Sequence, residues 1–126
     1  MKNICDISTK DKSEISYNTF ILSTLANLGL SLSTKGTFYF RDLIIIAIQV
    51  EKGNEADINL KYLRQKLSKE KNILPKTIKT NIDYAFKYID SSKAEENFKN
   101  IFGFEYNSYY ITAKTLITLI LGLLYK

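Results

Sequence analysis

Phosphate-binding chemistry is the one chemical capability concentrated in a single part of this sequence. From Lys61 to Lys87 the chain carries eight basic residues and two acidic ones, Glu70 and Asp83, which leaves a surplus of six positive charges. The rest of the chain has ten basic and eleven acidic residues, so the net charge of +5 comes from this stretch. Clustered cations are typical of a phosphate-binding surface, and two lysine-rich helix faces in water are the simpler alternative. The basic residues are Lys61, Arg64, Lys66, Lys69, Lys71, Lys76, Lys79 and Lys87.

Catalytic and metal-binding patterns are missing from the sequence. It contains no histidine, which is the commonest general base and metal ligand. No paired carboxylates, glycine-rich phosphate loop or activated nucleophile occur at a usable spacing. Cys5 is the only cysteine, so one chain forms no disulfide and no cysteine zinc site, which fits a reducing cytoplasm. We therefore expect a cytoplasmic protein that is not an enzyme and needs no metal, cofactor or small-molecule substrate.

Size and composition indicate one globular domain. The chain has 126 residues, of which 45% are hydrophobic and 13% aromatic, enough for a single core. Met1 to Tyr17 is polar and lacks the apolar stretch of a secretory signal, so we predict a flexible arm over residues 1–16 and a folded domain over 17–126. The longest apolar run, Leu116 to Tyr125, is about half of the ~20 residues that a membrane-spanning helix needs. It is predicted to be core or interface, and no membrane partner is expected.

Helical periodicity accounts for the first part of this domain. Tyr17 to Leu30 repeats apolar residues at helical spacing and stops near Gly29, a suitable C-terminal cap. Gly36 to Val50 fits two structures, because its aromatic and β-branched residues favour a strand while its apolar spacing fits a helix. The periodicity alone does not decide between a strand and a helix. A run of about fourteen residues without a turn exceeds a usual strand, so the length favours a helix.

The basic stretch is predicted to form two helices joined by a short link. Asp57 can cap a helix in which Leu60, Leu63 and Leu67 recur every three or four residues. Pro75, the only proline, suits the first position of a second helix, where its missing N–H is not needed. The inward stripe of that second helix comprises Ile78, Ile82, Ala85, Phe86 and Ile89. This is the helix-turn-helix layout, whose second helix has the right width for the major groove of DNA.

The C-terminal part completes an all-α fold of about six helices in a compact bundle that contains a helix-turn-helix. Ser92 and Glu95 have the spacing of a capping box, which opens a helix that Gly103 ends. Residues 106–111 are predicted to be a connecting loop. The last helix, Thr112 to Tyr125, is apolar on nearly every side. It is either the centre of the core or partly covered by a second copy of the chain.

A series of residues between Leu25 and Leu124 resembles one known family. The residues are Leu25, Leu28, Gly29, the stretch Lys35-Gly36-Thr37-Phe38-Tyr39-Phe40-Arg41-Asp42-Leu43-Ile44, and then Leu63, Leu67, Ser68, Lys69, Asn72, Pro75, Ile78, Ile82, Ala85, Phe98, Ile101, Phe102 and Gly103. They resemble the C-terminal DNA-binding domain of the sporulation initiation response regulator, stage zero sporulation protein A, of endospore-forming bacteria. The resemblance implies a helix-turn-helix whose recognition helix starts at Pro75.

The chain departs from that family where its recognition helix reads DNA. The family shows arginines where this chain has Thr77, Thr80 and Asp83, and a glutamate where it has Lys79. Arginine reads guanine, whereas threonine suits adenine–thymine pairs, so a different target sequence is expected. Leu74 replaces a hydroxyl residue at the expected N-cap, at a cost of ~1 kcal/mol in helix stability. No stretch resembles the phosphoacceptor receiver domain of the family, so control by abundance or by a partner is expected.

Two sets of residues are predicted to contact double-stranded DNA. The set for base edges lies on the first turns of the recognition helix and comprises Lys76, Thr77, Lys79 and Thr80. The set for phosphates comprises Lys35, Lys66, Lys69 and Lys71, because lysine positions a protein without reading a base. Asp83 would repel phosphate unless Lys79 or Lys87, one helical turn away on either side, neutralises it.

Three functions follow from these predictions. The first is a small transcriptional regulator that reads the major groove with the helix Pro75 to Ile89, with two or more copies on adjacent half-sites. The second is an accessory DNA-binding protein of a plasmid or phage. The third is a protein-interaction module that keeps the fold and has lost DNA binding, which the missing arginines favour. A homodimer would form through the helix Thr112 to Tyr125 or on DNA.

Overall fold

Six α-helices form most of the protein in a computed structural model that describes residues 9–50 and 58–124; of residues 9–16 only the backbone is described. They are α1 (Thr9–Asn27), α2 (Lys35–Val50), α3 (Leu60–Lys71), α4 (Pro75–Lys87), α5 (Ser91–Phe102) and α6 (Ala113–Leu124). Neither of the two ranges contains a β-strand. The predicted all-α class is confirmed, and the segment left open between strand and helix is helical.

Helix α2 lies at the centre of the bundle, where it contacts α1, α3, α4 and α6. Its side chains Phe40, Leu43, Ile44 and Ala47 are almost completely buried. A helix surrounded by four others has little need of a polar face, so its apolar residues run nearly all round. The β-branched residues therefore stay helical because tertiary packing outweighs their strand propensity.

Helix α1 begins at Thr9, eight residues before the predicted start at Tyr17. The end near Gly29 is confirmed: Gly29 has a φ of 99°, and the next N–H donates to the Leu25 carbonyl over 3.0 Å. The Asp90 N–H donates to the Gly29 carbonyl over 2.9 Å, which joins this turn to the start of α5. Of the predicted flexible arm, residues 9–16 belong to α1 and residues 1–8 lie outside the described residues.

The helix ends differ from the predictions mainly in which residue acts as the cap. Asn59 caps α3 by accepting from the Tyr62 N–H over 3.0 Å, while the predicted cap Asp57 lies outside the described residues. The capping box at Ser92 is wrong. Asp90 caps α5, because its carboxylate accepts from both the N–H and the hydroxyl of Ser92, at 3.1 and 2.6 Å. Those hydrogen bonds, the hydroxyl first, lower the pKa of Asp90.

Helix α6 is part of the core. Leu116, Ile117 and Ile120 are fully buried, and among its described residues the exposed positions include Thr118 and Gly122 but no large apolar side chain. The predicted loop before α6 contains a short 3-10 turn, Ser108–Tyr110. No helix in the ranges 9–50 and 58–124 is both long and apolar enough to cross a membrane. Helix α6 packs against α2, which holds the centre of the bundle, so the predicted central position of α6 is not observed. Its coverage by a second copy of the chain remains a prediction.

Candidate nucleic-acid interface

Helices α3 and α4 are joined by a three-residue turn. Asn72 caps α3 in the left-handed conformation, with a φ of 56°, and its N–H donates to the Ser68 carbonyl. The Ile73 N–H donates to the same carbonyl over 3.2 Å, so one acceptor serves both residues. Pro75 stands at the start of α4, as predicted, and Leu74 occupies the N-cap without a side-chain hydrogen bond. The turn therefore closes immediately after α3 and leaves the first turn of α4 without a side-chain cap.

Helix α4 is held from behind by α2. Its inner face buries Ile78, Ile82 and Ala85, three of the five residues in the predicted stripe. Gly36 of α2 lies against the α4 backbone, since a Cβ atom built on it would come within 1.9 Å of the Asn81 carbonyl oxygen. This close approach fixes α4 on the bundle, while its outer face remains open to solvent. The helix ends at Lys87, two residues before the predicted end at Ile89.

All four residues predicted to contact base edges lie exposed on α4. Lys76 and Thr80 are separated by four residues and therefore share one face, with Thr77 beside them. The Lys79 ammonium lies 2.7 Å from the Asp83 carboxylate, and both side chains are more than half exposed, at 56% and 63%. The expected neutralisation of Asp83 is thus provided by Lys79.

The four residues predicted to contact phosphate lie on two helices, one on α2 and three on α3. Lys35 begins α2, and Lys71 ends α3. Lys66 is half-buried and follows Arg64 by two residues, a rotation of about 200° around the helix that puts the two on opposite flanks. Lys69 is exposed near the C-terminal end of the same helix. Their role in phosphate binding stays a prediction.

A basic groove between α3 and α4 brings Lys76 and Lys79, predicted to contact base edges, together with two cations of α3 that had no predicted role. It has a volume of about 250 Å³ and contains no acidic residue in its lining. We call it the α3–α4 groove; it is lined by Lys61, Arg64, Gln65, Pro75, Lys76 and Lys79. Lys61 and Arg64 were counted in the basic stretch but given no role. Their spacing of three residues, which places both on one side of α3, was the available indication.

Two exposed tyrosines, one on the last turn of α4 and one at its C-cap, were also missed. Tyr84 and Tyr88 are 54% and 61% exposed, and their ring centroids are 4.7 Å apart. The Lys87 ammonium lies 5.6 Å from the centroid of the Tyr88 ring. The two tyrosines are four residues apart and lie outside the apolar stripe, and this spacing indicates two neighbouring side chains on the helix surface. The open side of α4 therefore carries cations and hydroxyls at its start and aromatic rings at its end.

Comparison with models of protein families, with curated proteins and with solved structures finds no match for this chain. Within the two described ranges, no three or more histidine, cysteine, aspartate or glutamate residues are grouped so that they could hold a metal ion. A role for the protein therefore has to come from the geometry of α3 and α4, together with the sequence resemblance.

Proposed function

We propose that the protein binds duplex DNA in the major groove with α4 as its recognition helix, and acts as a small cytoplasmic transcriptional regulator. The observation that carries this proposal is the open outer face at the start of α4. Lys76, Thr77 and Thr80 are exposed there, next to the cations of the α3–α4 groove. A helix backed by a bundle and presenting its first turns to solvent is the arrangement by which helix-turn-helix proteins reach base edges.

The chemistry of this face fits DNA. Lysine ammonium groups attract the phosphate backbone, and threonine offers a hydroxyl for hydrogen bonding and a methyl group for contact with thymine. The resemblance to the sporulation regulator domain supports the same role for the helix after Pro75. Because threonines replace the arginines of that family, the target sequence is expected to be different and richer in adenine–thymine pairs.

Fluorescence anisotropy of a labelled random-sequence duplex, measured over a range of salt concentrations, tests this proposal. We expect the logarithm of the binding constant to fall linearly with the logarithm of the salt concentration, because cations on the protein release counterions from DNA. Lys76→Glu with Lys79→Glu should abolish binding. The matched control, Lys93→Glu with Lys99→Glu on α5, changes the net charge equally and should retain binding apart from a general electrostatic weakening.

A lack of binding to any duplex at low salt would overturn this proposal. It would favour the protein-interaction module, for which Tyr84 and Tyr88 offer a contact surface, since exposed tyrosines are enriched at protein interfaces. Binding that is equally strong to random and selected DNA would instead favour an accessory DNA-binding protein of a plasmid or phage. A selection of bound sites from random duplexes separates that case from a regulator.

A further inference from the structure

We propose that Lys61 and Arg64 of α3 hold a backbone phosphate of the bound DNA in the α3–α4 groove. This inference rests on the proposed function and deepens it, because it names the contacts that position α4. Of the four lysines predicted for phosphate contact, Lys35, Lys66, Lys69 and Lys71, it replaces Lys66 and Lys69 in this role. The ligand is a phosphodiester group of one DNA strand, next to the first turn of the recognition helix.

The position of the groove supports this assignment. Lys61 and Arg64 line it from α3, and Pro75 and Lys76 line it from the first turn of α4. A phosphate held there would lie at the end of α4 that approaches the base edges. Gln65 adds a neutral amide to the same lining. A contact on each of the two helices would fix both the depth and the angle at which α4 enters the major groove.

The electrostatics of the groove also favour an anion. Lys79 is paired with Asp83, but Lys61, Arg64 and Lys76 form no ion pair within the described part of the chain. Three unpaired cations around one groove repel one another, and a phosphate relieves that repulsion. Arg64 is half-buried, and its planar guanidinium presents forked N–H donors that match two phosphate oxygens.

The start of α4 offers further donors to the same phosphate. Leu74 stands at the N-cap and accepts no hydrogen bond with its side chain. The backbone N–H groups of the first turn therefore have no side-chain acceptor, and a phosphate oxygen at this end of the helix can supply one. This feature adds to the cationic lining, which is the primary evidence.

The experiment compares two double variants of α3 in the anisotropy titration. Lys61→Gln with Arg64→Gln and Lys66→Gln with Lys69→Gln each remove two positive charges and keep good helix formers. The first pair should weaken binding about tenfold near 0.1 M salt and reduce the salt slope by about 0.9, the value for one lost phosphate contact. The second pair should leave the slope nearly unchanged. Circular dichroism and thermal melting confirm that both variants are folded.

Each outcome separates this inference from the proposed function. Wild-type binding with equal losses in both variants, or a larger loss in the second, would overturn the inference and leave DNA binding intact. No binding by the wild-type protein would overturn both.

A second experiment measures the binding of inorganic phosphate alone by calorimetry. Saturable binding of phosphate that the Lys61→Gln, Arg64→Gln variant loses would reassign the groove to a free phosphate ligand. Arg64→Lys keeps the positive charge but loses the forked N–H donors of the guanidinium. Its loss of DNA affinity should lie between wild type and the Lys61→Gln, Arg64→Gln variant.

Discussion

Individual side chains determine how much charge the start of α4 offers to DNA. Lys79 is paired with Asp83, so this part of the helix presents Lys76 as its unpaired cation while Thr77 and Thr80 stay neutral. The pair is exposed, and an exposed pair contributes at most ~1 kcal/mol to stability. If α4 binds DNA as proposed, a carboxylate on the outer face repels phosphate. Asp83 is then expected to limit non-specific affinity.

Asp83→Asn should tighten binding to random duplex DNA several-fold. The substitution removes a negative charge and releases the Lys79 ammonium, so the salt slope should become steeper by about 0.9 if that ammonium gains one phosphate contact. Stability should change by less than about 1 kcal/mol. Anisotropy titrations at several salt concentrations and urea denaturation measure the two effects. Glu95→Gln, which removes an equal charge from α5, serves as the control, and an equal gain in both variants would contradict the prediction.

At the scale of helices, the contact between α2 and α4 determines where α4 lies. Gly36 allows the two backbones to touch, and the Phe40 and Phe86 rings meet edge to face with their centroids 5.1 Å apart. Backbone atoms cannot move aside as a flexible side chain can. The position of α4 therefore depends on Gly36, a residue of another helix.

Gly36→Ala should destabilise the protein although alanine is the better helix former. The added Cβ would lie 1.9 Å from the Asn81 carbonyl oxygen, and overpacking of this kind costs about 1–3 kcal/mol. The displaced α4 should also bind DNA more weakly. Gly122→Ala on α6 is the matched control, because nothing lies within 4 Å of its Cβ position and the substitution should stabilise by up to ~1 kcal/mol. Urea denaturation measures both, and equal stabilisation would contradict this account.

The sequence was sufficient for features that belong to one helix. The stripe Ile78, Ile82, Ala85 predicted both α4 and its buried face, and the cap glycines Gly29 and Gly103 marked two helix ends correctly. Such features follow from apolar spacing and from the backbone conformation that glycine allows. The exposure of the four base-edge residues followed in the same way. Periodicity thus gave the elements and the outer face of the candidate site.

Features that depend on two helices were beyond the sequence. The α3–α4 groove exists because of the way α3 and α4 cross, and no pattern within α3 distinguishes the flank of Arg64 from the flank of Lys66. The cap of α5 was misassigned for a related reason. Asp90 and Ser92 are both good cap residues, and the bond from the Asp90 N–H to Gly29 ties Asp90 to the end of α1.

At the scale of the whole molecule, charge is distributed unevenly. The surplus of positive charge lies in residues 61–87, which contain α3 and α4, whereas the remainder of the chain is nearly neutral. If the protein binds DNA as proposed, this concentration of positive charge in α3 and α4 should attract the polyanion before contact and speed productive encounters.

The free protein should be a monomer. The large apolar side chains among the described residues of α6 are buried or partly buried by the chain itself, and Thr118 and Gly122 are exposed on its outer side. Sedimentation equilibrium at micromolar concentration should therefore give the chain mass of 14.5 kDa. With a selected site, we expect two copies per duplex on half-sites one helical turn apart. A dimer in the absence of DNA that an α6 variant such as Gly122→Arg disrupts would contradict this expectation.

The separation between the inner and outer faces of α4 has a practical consequence. Gly36 and the buried stripe anchor the helix, while Lys76, Thr77 and Thr80 contribute nothing to the core. Randomising those three positions should give a library whose members nearly all fold. If the protein binds DNA as proposed, such a library would allow selection for new target sequences, because the exposed positions can change without altering the packing of α4.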